Sequence, residues 1–187
     1  MKFLRMKNLP RLIIVFGEIG AGKTTLAKGV AKKLSYMLVH FDEYMWIATS
    51  RKEIYGSDDE FLLNDDEVLQ IYNKMLVDAK KFLLAGKDVI LESMYYKKQR
   101  EDVIRMAEDI GCTYKILEIR CSKDSIINRL KIRKALNPQS SGEKLFLKYF
   151  DTIEPEERDH IIVDITDKTA DDCILEASSK MQYNGSI

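Results

Sequence analysis

Residues 12–16 read Leu-Ile-Ile-Val-Phe and run without a break into Gly17, Glu18, Ile19, Gly20, Ala21, Gly22, Lys23, Thr24 and Thr25. The apolar run has the character of a strand buried on both faces. After it, Leu26, Ala27, Val30, Ala31 and Leu34 recur at helical spacing, which predicts a helix over residues 24–34. A strand, then G-x-x-x-x-G-K-T, then a helix is the P-loop arrangement. Its glycines let the backbone wrap a phosphate chain and turn consecutive N–H groups inward. The helix N-terminus adds a positive dipole end aimed at the same phosphates. Residues 17–25 are therefore expected to bind a nucleotide. Lys23 would reach the β- and γ-phosphate oxygens, and the Thr24 hydroxyl would ligate Mg²⁺.

The rest of the chain repeats strand and helix. Short apolar strands are expected at residues 37–41, 88–91, 114–119 and 160–165, and helices between them. Asn64 and Glu67 have the spacing of a capping box, opening a long helix that Gly86 stops. Further helices are expected over residues 97–110, from Ser122 to about residue 136, over 144–153, and from Thr169 onward. Residues 47–63 lose periodicity and read as a surface loop or broken helix, and residues 137–142 read as a mobile break. Five alternations imply an α/β fold with a parallel sheet and helices on both faces. The length of 187 residues suits one domain, residues 1–187, with no linker, repeat or low-complexity tract.

Charge and cysteine content narrow the function classes. Thirty basic residues balance thirty acidic ones, so the net charge does not call for a nucleic-acid partner. Cys112, Cys121 and Cys173 are odd in number and widely spaced, which fits buried thiols in a reducing compartment. No stretch has the ~18 apolar residues of a membrane span. A cytoplasmic protein is the expectation.

In an open parallel sheet, ligands bind beyond the carboxyl ends of the strands. There the second strand delivers Asp42 and Glu43, and the third delivers Glu92. Asp42 suits a base that takes or steers an acceptor hydroxyl's proton, and it equally suits a helix cap. Glu92 suits a carboxylate that holds Mg²⁺, directly or through water, and also a solvated strand-end acid. Arg129 and Arg133 are spaced i, i+4 and share one helix face next to the 137–142 break. They fit a lid over about residues 129–143 that neutralises a transferring phosphoryl group; with Lys131 and Lys134 they also fit a solvated basic face. Tyr44, Trp46, Phe61, Tyr95 and Tyr96 read first as packing at the edge of the core and second as a stacking platform. His40 and His160 stand alone, without a metal-ligand cluster.

Taken together, residues 17–25, Asp42-Glu43-Tyr44, the strand ending at Glu92, Arg100, and Cys121 followed by Arg129 and Arg133 resemble a family. It is the group of P-loop kinases that includes zeta toxins, the 5′-kinase domain of phage polynucleotide kinase and chloramphenicol phosphotransferase. The resemblance spans about residues 11–170. It implies a sheet order of 2-3-1-4-5 and ATP-dependent transfer to a hydroxyl. It also implies phosphate and Mg²⁺ binding by Lys23 and Thr24, activation of the acceptor by Asp42, and lid roles for Arg129 and Arg133. Two positions depart from the pattern. Met45 stands where the polynucleotide kinase has an arginine, and Glu92-Ser93-Met94 replaces the usual aspartate with its small polar neighbours.

Two functions follow. The first is a kinase using ATP and Mg²⁺ on a small-molecule, nucleoside or nucleotide-like alcohol. The second is an ATP-binding regulatory protein with no dedicated acceptor. Acceptor-dependent ADP release separates them.

Overall fold

The computed structural model describes residues 9–49, 54–56 and 60–182. Five strands alternate with helices in chain order. They are β1 (Arg11–Gly17), α1 (Lys23–Leu34), β2 (Met37–His40), α2 (Phe41–Thr49), α3 (Asp65–Leu84), β3 (Val89–Glu92) and α4 (Lys97–Ile110). Then come β4 (Thr113–Arg120), α5 (Lys123–Leu136), α6 (Glu143–Tyr149), β5 (Ile161–Asp164) and α7 (Ala170–Met181). Every strand pair is parallel, and the sheet order is β2-β3-β1-β4-β5. This is the order that the family resemblance implies.

The side-chain alternation of β1 divides the core. Leu12, Ile14 and Phe16 face a layer containing Ile71, Met75 and Leu83 of α3 and Val103 and Ala107 of α4. Ile13 and Val15 face Leu26, Ala27 and Val30 of α1, Ile126 and Leu130 of α5, and Cys173 and Ala177 of α7. Both faces of a central parallel strand are buried, so its sequence is a continuous apolar run rather than an alternating one. Helices α1 and α7 lie so close that a Cβ on Gly29 would collide with the Ile174 side chain.

The caps follow local chemistry. The Asn64 side chain accepts from Glu67 N–H at 2.9 Å, and Glu67 accepts from Asn64 N–H at 3.0 Å, completing the capping box of α3. Ser122 and Thr169 cap α5 and α7 through side-chain oxygens.

Two segments differ from the sequence expectation. Helix begins at Phe41 immediately after β2 and continues to Thr49, so the expected loop over 47–63 starts later. Residues 54–56 and 60–62 approach each other as an antiparallel pair, with Leu62 N–H donating to the Ile54 carbonyl at 3.0 Å. The Asp58-Asp59 part of the expected loop lies outside the described residues. The helix expected over 144–153 stops at Tyr149, because Phe150 turns to an extended backbone with ψ 136°, and Asp151 follows in a left-handed conformation with φ 59°. Elsewhere boundaries shift by one or two residues.

Arg100 fastens the segment after α6 to the sheet. Its guanidinium is 1% exposed, lies 4.5 Å from the centre of the Phe16 ring, and donates to Glu156 at 3.0 Å and to the Tyr95 and Glu154 carbonyls. Sequence reasoning assigned Arg100 no role; its role in the fold depends on partners 54 to 56 residues away. Arg100→Met should lower unfolding free energy by about 3–5 kcal/mol, because it leaves a buried carboxylate with a diminished partner set. Chemical denaturation of variant and parent measures this. A loss below about 1 kcal/mol would show that Arg158, which also donates to Glu156 at 2.8 Å, is sufficient alone.

Candidate active site

The loop after β1 sits where three other elements meet it. Gly17, at φ 146°, lies against the Ile119 carbonyl of β4, and a Cβ there would collide with that oxygen. Gly22, at φ 89°, caps α1, and its Cβ would fall 2.8 Å from Ile165 Cδ1. A left-handed conformation and close neighbours together restrict both positions to glycine. The loop carbonyl of Glu18 accepts from the Ala21 N–H at 3.1 Å and from Lys23 Nζ at 2.9 Å. The Lys23 ammonium therefore lies within the curve of the loop.

Around it stands a cavity of about 480 Å³. Lys23, Thr24, Asp42, Glu92, Arg129 and Arg133 all line it. Tertiary structure thus brings together residues from the starts of α1 and α2, the end of β3 and one face of α5. Arg129 donates to the Ile165 carbonyl at 3.0 Å. Arg133 donates to the Ser141 carbonyl at 3.0 Å and to the Ser141 hydroxyl. Both arginines thus face the cavity instead of forming a wholly solvated basic stripe. A second cavity of about 220 Å³ shares Gly22, Thr25 and Arg129 with the first and extends toward Lys168 and Cys173.

Glu92 is not a solvated strand-end acid. It is 3% exposed and accepts from the Thr24 hydroxyl at 3.0 Å. Burial pushes its pKa up to about 7, against the pull of the Lys23 ammonium. Burial likewise lowers Lys23, and Glu92, Asp42 and Glu18 oppose that shift. Thr24 and Glu92 present two hard oxygen donors to one spot, a fit for Mg²⁺, which takes one or two protein oxygens and completes its shell with waters and phosphate. Asp42 is exposed on the cavity wall in the first turn of α2, inside the helix rather than before it.

The aromatic set divides. Phe61 and Tyr96 line the cavity, Tyr44 and Tyr95 are buried in the core, and Trp46 is 45% exposed. Phe41, Tyr55, Tyr72 and Tyr149 also line the cavity and were not singled out from sequence. Their signal was absent because each belongs to a different segment. Ser93 was likewise passed over as a contact; its hydroxyl pairs with that of Tyr72 at 2.9 Å. His40 is buried with Nε2 3.4 Å from Glu43, and His160 bonds to Glu118 at 2.9 Å. Cys112 and Cys173 are buried, Cys121 is partly buried, and all three are free thiols.

Residues 12–153 match an AAA domain family. The chain belongs to this AAA domain family. A shikimate kinase of Thermodesulfovibrio yellowstonii is 32% identical over 152 residues, covering 76% of this chain and 78% of that protein. An uncharacterized protein of Mycobacterium tuberculosis is 30% identical over 139 residues, 71% of this chain. The chain spans only 28% of the length of that protein and of the other mycobacterial relatives first matched. Among solved structures, a gluconokinase from Sinorhizobium meliloti superposes with a TM-score of 0.66 at 17% identity, covering 92% of this chain and 91% of that one. Such a likeness establishes the fold: a five-stranded parallel P-loop sheet with helices on both faces. Among the described residues, no helix of this AAA domain is long and apolar enough to cross a membrane.

The buried acid predicts a pH dependence. Between the ordinary carboxylate pKa of about 4.3 and about 7, the folded AAA domain keeps a proton on Glu92 that the unfolded chain releases. Stability should therefore fall as pH rises through this window. Glu92→Gln should flatten that fall by roughly 1–3 kcal/mol. Urea midpoints near the two ends of the window, measured without nucleotide, test the sign. An unchanged slope would remove Glu92 as its source.

Proposed function

We propose that this AAA domain is an ATP-dependent phosphotransferase that moves the γ-phosphoryl group of ATP to a hydroxyl of a small-molecule or nucleoside-like acceptor. The observation that carries this reading is convergence. A lysine, two arginines, an exposed aspartate and a hydroxyl–carboxylate pair, drawn from four separate segments, all face one cavity at the carboxyl edge of the sheet. The kinases among the relatives and fold neighbours add support.

In this reading, residues 17–25 cradle the triphosphate through loop N–H groups and the N-terminus of α1. Lys23 exchanges its bond to the Glu18 carbonyl for phosphate oxygens. Thr24 and Glu92 would hold Mg²⁺, which would supply positive charge against the phosphates. The second cavity, continuous with the loop through Gly22 and Thr25, receives the nucleoside end. Asp42 accepts the proton of the acceptor hydroxyl as its oxygen bonds to the γ-phosphorus. The bond from phosphorus to the bridging oxygen breaks, and ADP carries away the electron pair. Arg129 and Arg133 leave their carbonyl partners to meet charge on the transferring group, and residues 129–143 act as the lid. The motifs support kinship with the zeta-toxin, polynucleotide kinase and chloramphenicol phosphotransferase group. We take the chain as one kinase domain. Three free thiols, two of them buried, suit a reducing cytoplasm.

Labelled γ-phosphate and a library of hydroxyl compounds identify turnover, and three variants then test the roles. Lys23→Ala should cut turnover at least ~100-fold, about 2.7 kcal/mol of barrier. Asp42→Asn should keep ATP affinity near that of the parent while transfer falls by ~10²–10⁴-fold. Calorimetric ATP titration and a coupled ADP assay report both. Parent-like transfer in Asp42→Asn would remove it as the base, and ATP consumption indifferent to every acceptor would favour a regulatory ATPase. Replacing Arg133 with Lys should lower kcat more than it raises the KM for ATP, since lysine lacks the planar fork. Equal small changes in both parameters would contradict a lid role.

A further inference from the structure

Arg133 is tied to a distant segment by two hydroxyls. Its guanidinium donates to the Ser141 carbonyl at 3.0 Å and to the Ser141 hydroxyl. Ser141 is buried, and its side chain also shares a hydrogen bond with the Tyr55 hydroxyl. Arg133, Ser141 and Tyr55 all line the large cavity. Tyr55 precedes α3 and Ser141 follows α5, so this bond joins the segment after α2 to the turn beside the arginine.

Both ends of the chain are anchored. Ile54, next to Tyr55, is 1% exposed and belongs to the core layer that contains Tyr72 and Met75. Tyr55 itself pairs with Phe61 across the short antiparallel bridge, with ring centres 5.8 Å apart. At the other end, Lys134 Nζ donates to the Ser140 carbonyl at 3.1 Å, and the Ser140 N–H donates to the Asn137 carbonyl at 3.0 Å. Ser141 therefore cannot follow a moving Arg133 without parting from Tyr55.

The Tyr55 hydroxyl also feels two groups of the proposed reaction. Burial raises its pKa, the Asp42 carboxylate raises it further, and the Arg133 guanidinium and the Ser141 bond pull it back. It thus lies within electrostatic reach of both Asp42 and Arg133.

We propose that Tyr55 is a positioning residue: through Ser141 it holds Arg133 away from the γ-phosphate while no acceptor is bound, and so limits loss of ATP to water. In that loss, a water oxygen bonds to the γ-phosphorus and the bond to the bridging oxygen breaks. ADP keeps the electron pair, and the proton of the water passes to solvent. Arg133 on the γ-phosphate would speed this step as it would speed transfer. An alcohol seated at Asp42 brings a hydroxyl that competes with Ser141 for the Tyr55 hydroxyl, and Ser141 and Arg133 are then free to move. This inference rests on the kinase reading for the task of Arg133, and on the Tyr55–Ser141–Arg133 chain for its restraint.

The test needs no acceptor. Phosphate release is followed for the full chain with Mg²⁺ and ATP alone. Tyr55→Phe and Ser141→Ala should each raise this hydrolysis at least ~3-fold, the weight of one lost hydrogen bond in an equilibrium. The double variant should match Ser141→Ala alone, because Tyr55 acts only through that hydroxyl. In an Arg133→Lys background, Tyr55→Phe should have no effect. In the parent background it should tighten binding of a non-hydrolysable ATP analogue by a similar factor and leave ADP affinity unchanged, since only the γ-phosphate gains Arg133. Hydrolysis at or below the parent rate in both single variants overturns the proposal. So does a rise that persists in the Arg133→Lys background, and so does an equal change in analogue and ADP binding, which is what a merely structural Tyr55 would give. The two readings fail separately. Transfer to an alcohol, with acceptor-free hydrolysis unchanged in both single variants, would sink the restraint and leave the kinase reading standing. A rise that depends on Arg133, in a protein that transfers phosphate to no alcohol, would do the reverse.

Discussion

The tight seating of the loop at Gly17–Gly22 is the constraint on which the rest of the structure depends. Gly17 abuts a β4 carbonyl and Gly22 abuts the side chain that follows β5. The loop therefore cannot take its shape until β4 lies beside β1 and β5 beside β4, and the crossovers must place α5 within reach. Arg129, whose guanidinium bonds to the Ile165 carbonyl, belongs to the same contact. A phosphate cradle of this kind is a property of the assembled sheet. Its geometry is set by close neighbours, the Ile119 carbonyl at Gly17 and the Ile165 side chain at Gly22.

Burial of charge beside the cradle follows from the same packing. Lys23 and Glu92 are both nearly inaccessible, and each is held in a setting that disfavours its charged form. The attraction between them offsets part of that cost, and the Thr24 hydroxyl supplies a hydrogen bond to the carboxylate. Among the described residues lining the cavity, the basic ones come from α1 and α5, and the aromatic ones come from other segments.

By itself, the sequence determined the P-loop, the number and type of most elements, and the α/β class, since these rest on local spacing. The run at residues 12–16, the capping box at Asn64 and Glu67 and the caps at Ser122 and Thr169 are short-range signals, and the structure keeps each of them. The carboxyl-edge rule for parallel sheets also brought Asp42, Glu92, Arg129 and Arg133 under consideration together, and all four line the cavity. Only tertiary structure decided what required distant partners. Glu92 proved buried because β3 lies between β1 and β2, which no local pattern encodes. Arg100 became a core residue because the chain returns to it at Glu154 and Glu156. The aromatic lining of the cavity draws Phe41, Tyr55, Phe61, Tyr72, Tyr96 and Tyr149 from stretches more than a hundred residues apart. Periodicity marks which residues avoid water, but shared walls depend on how the sheet orders its strands, and that order is set by packing between segments rather than within them.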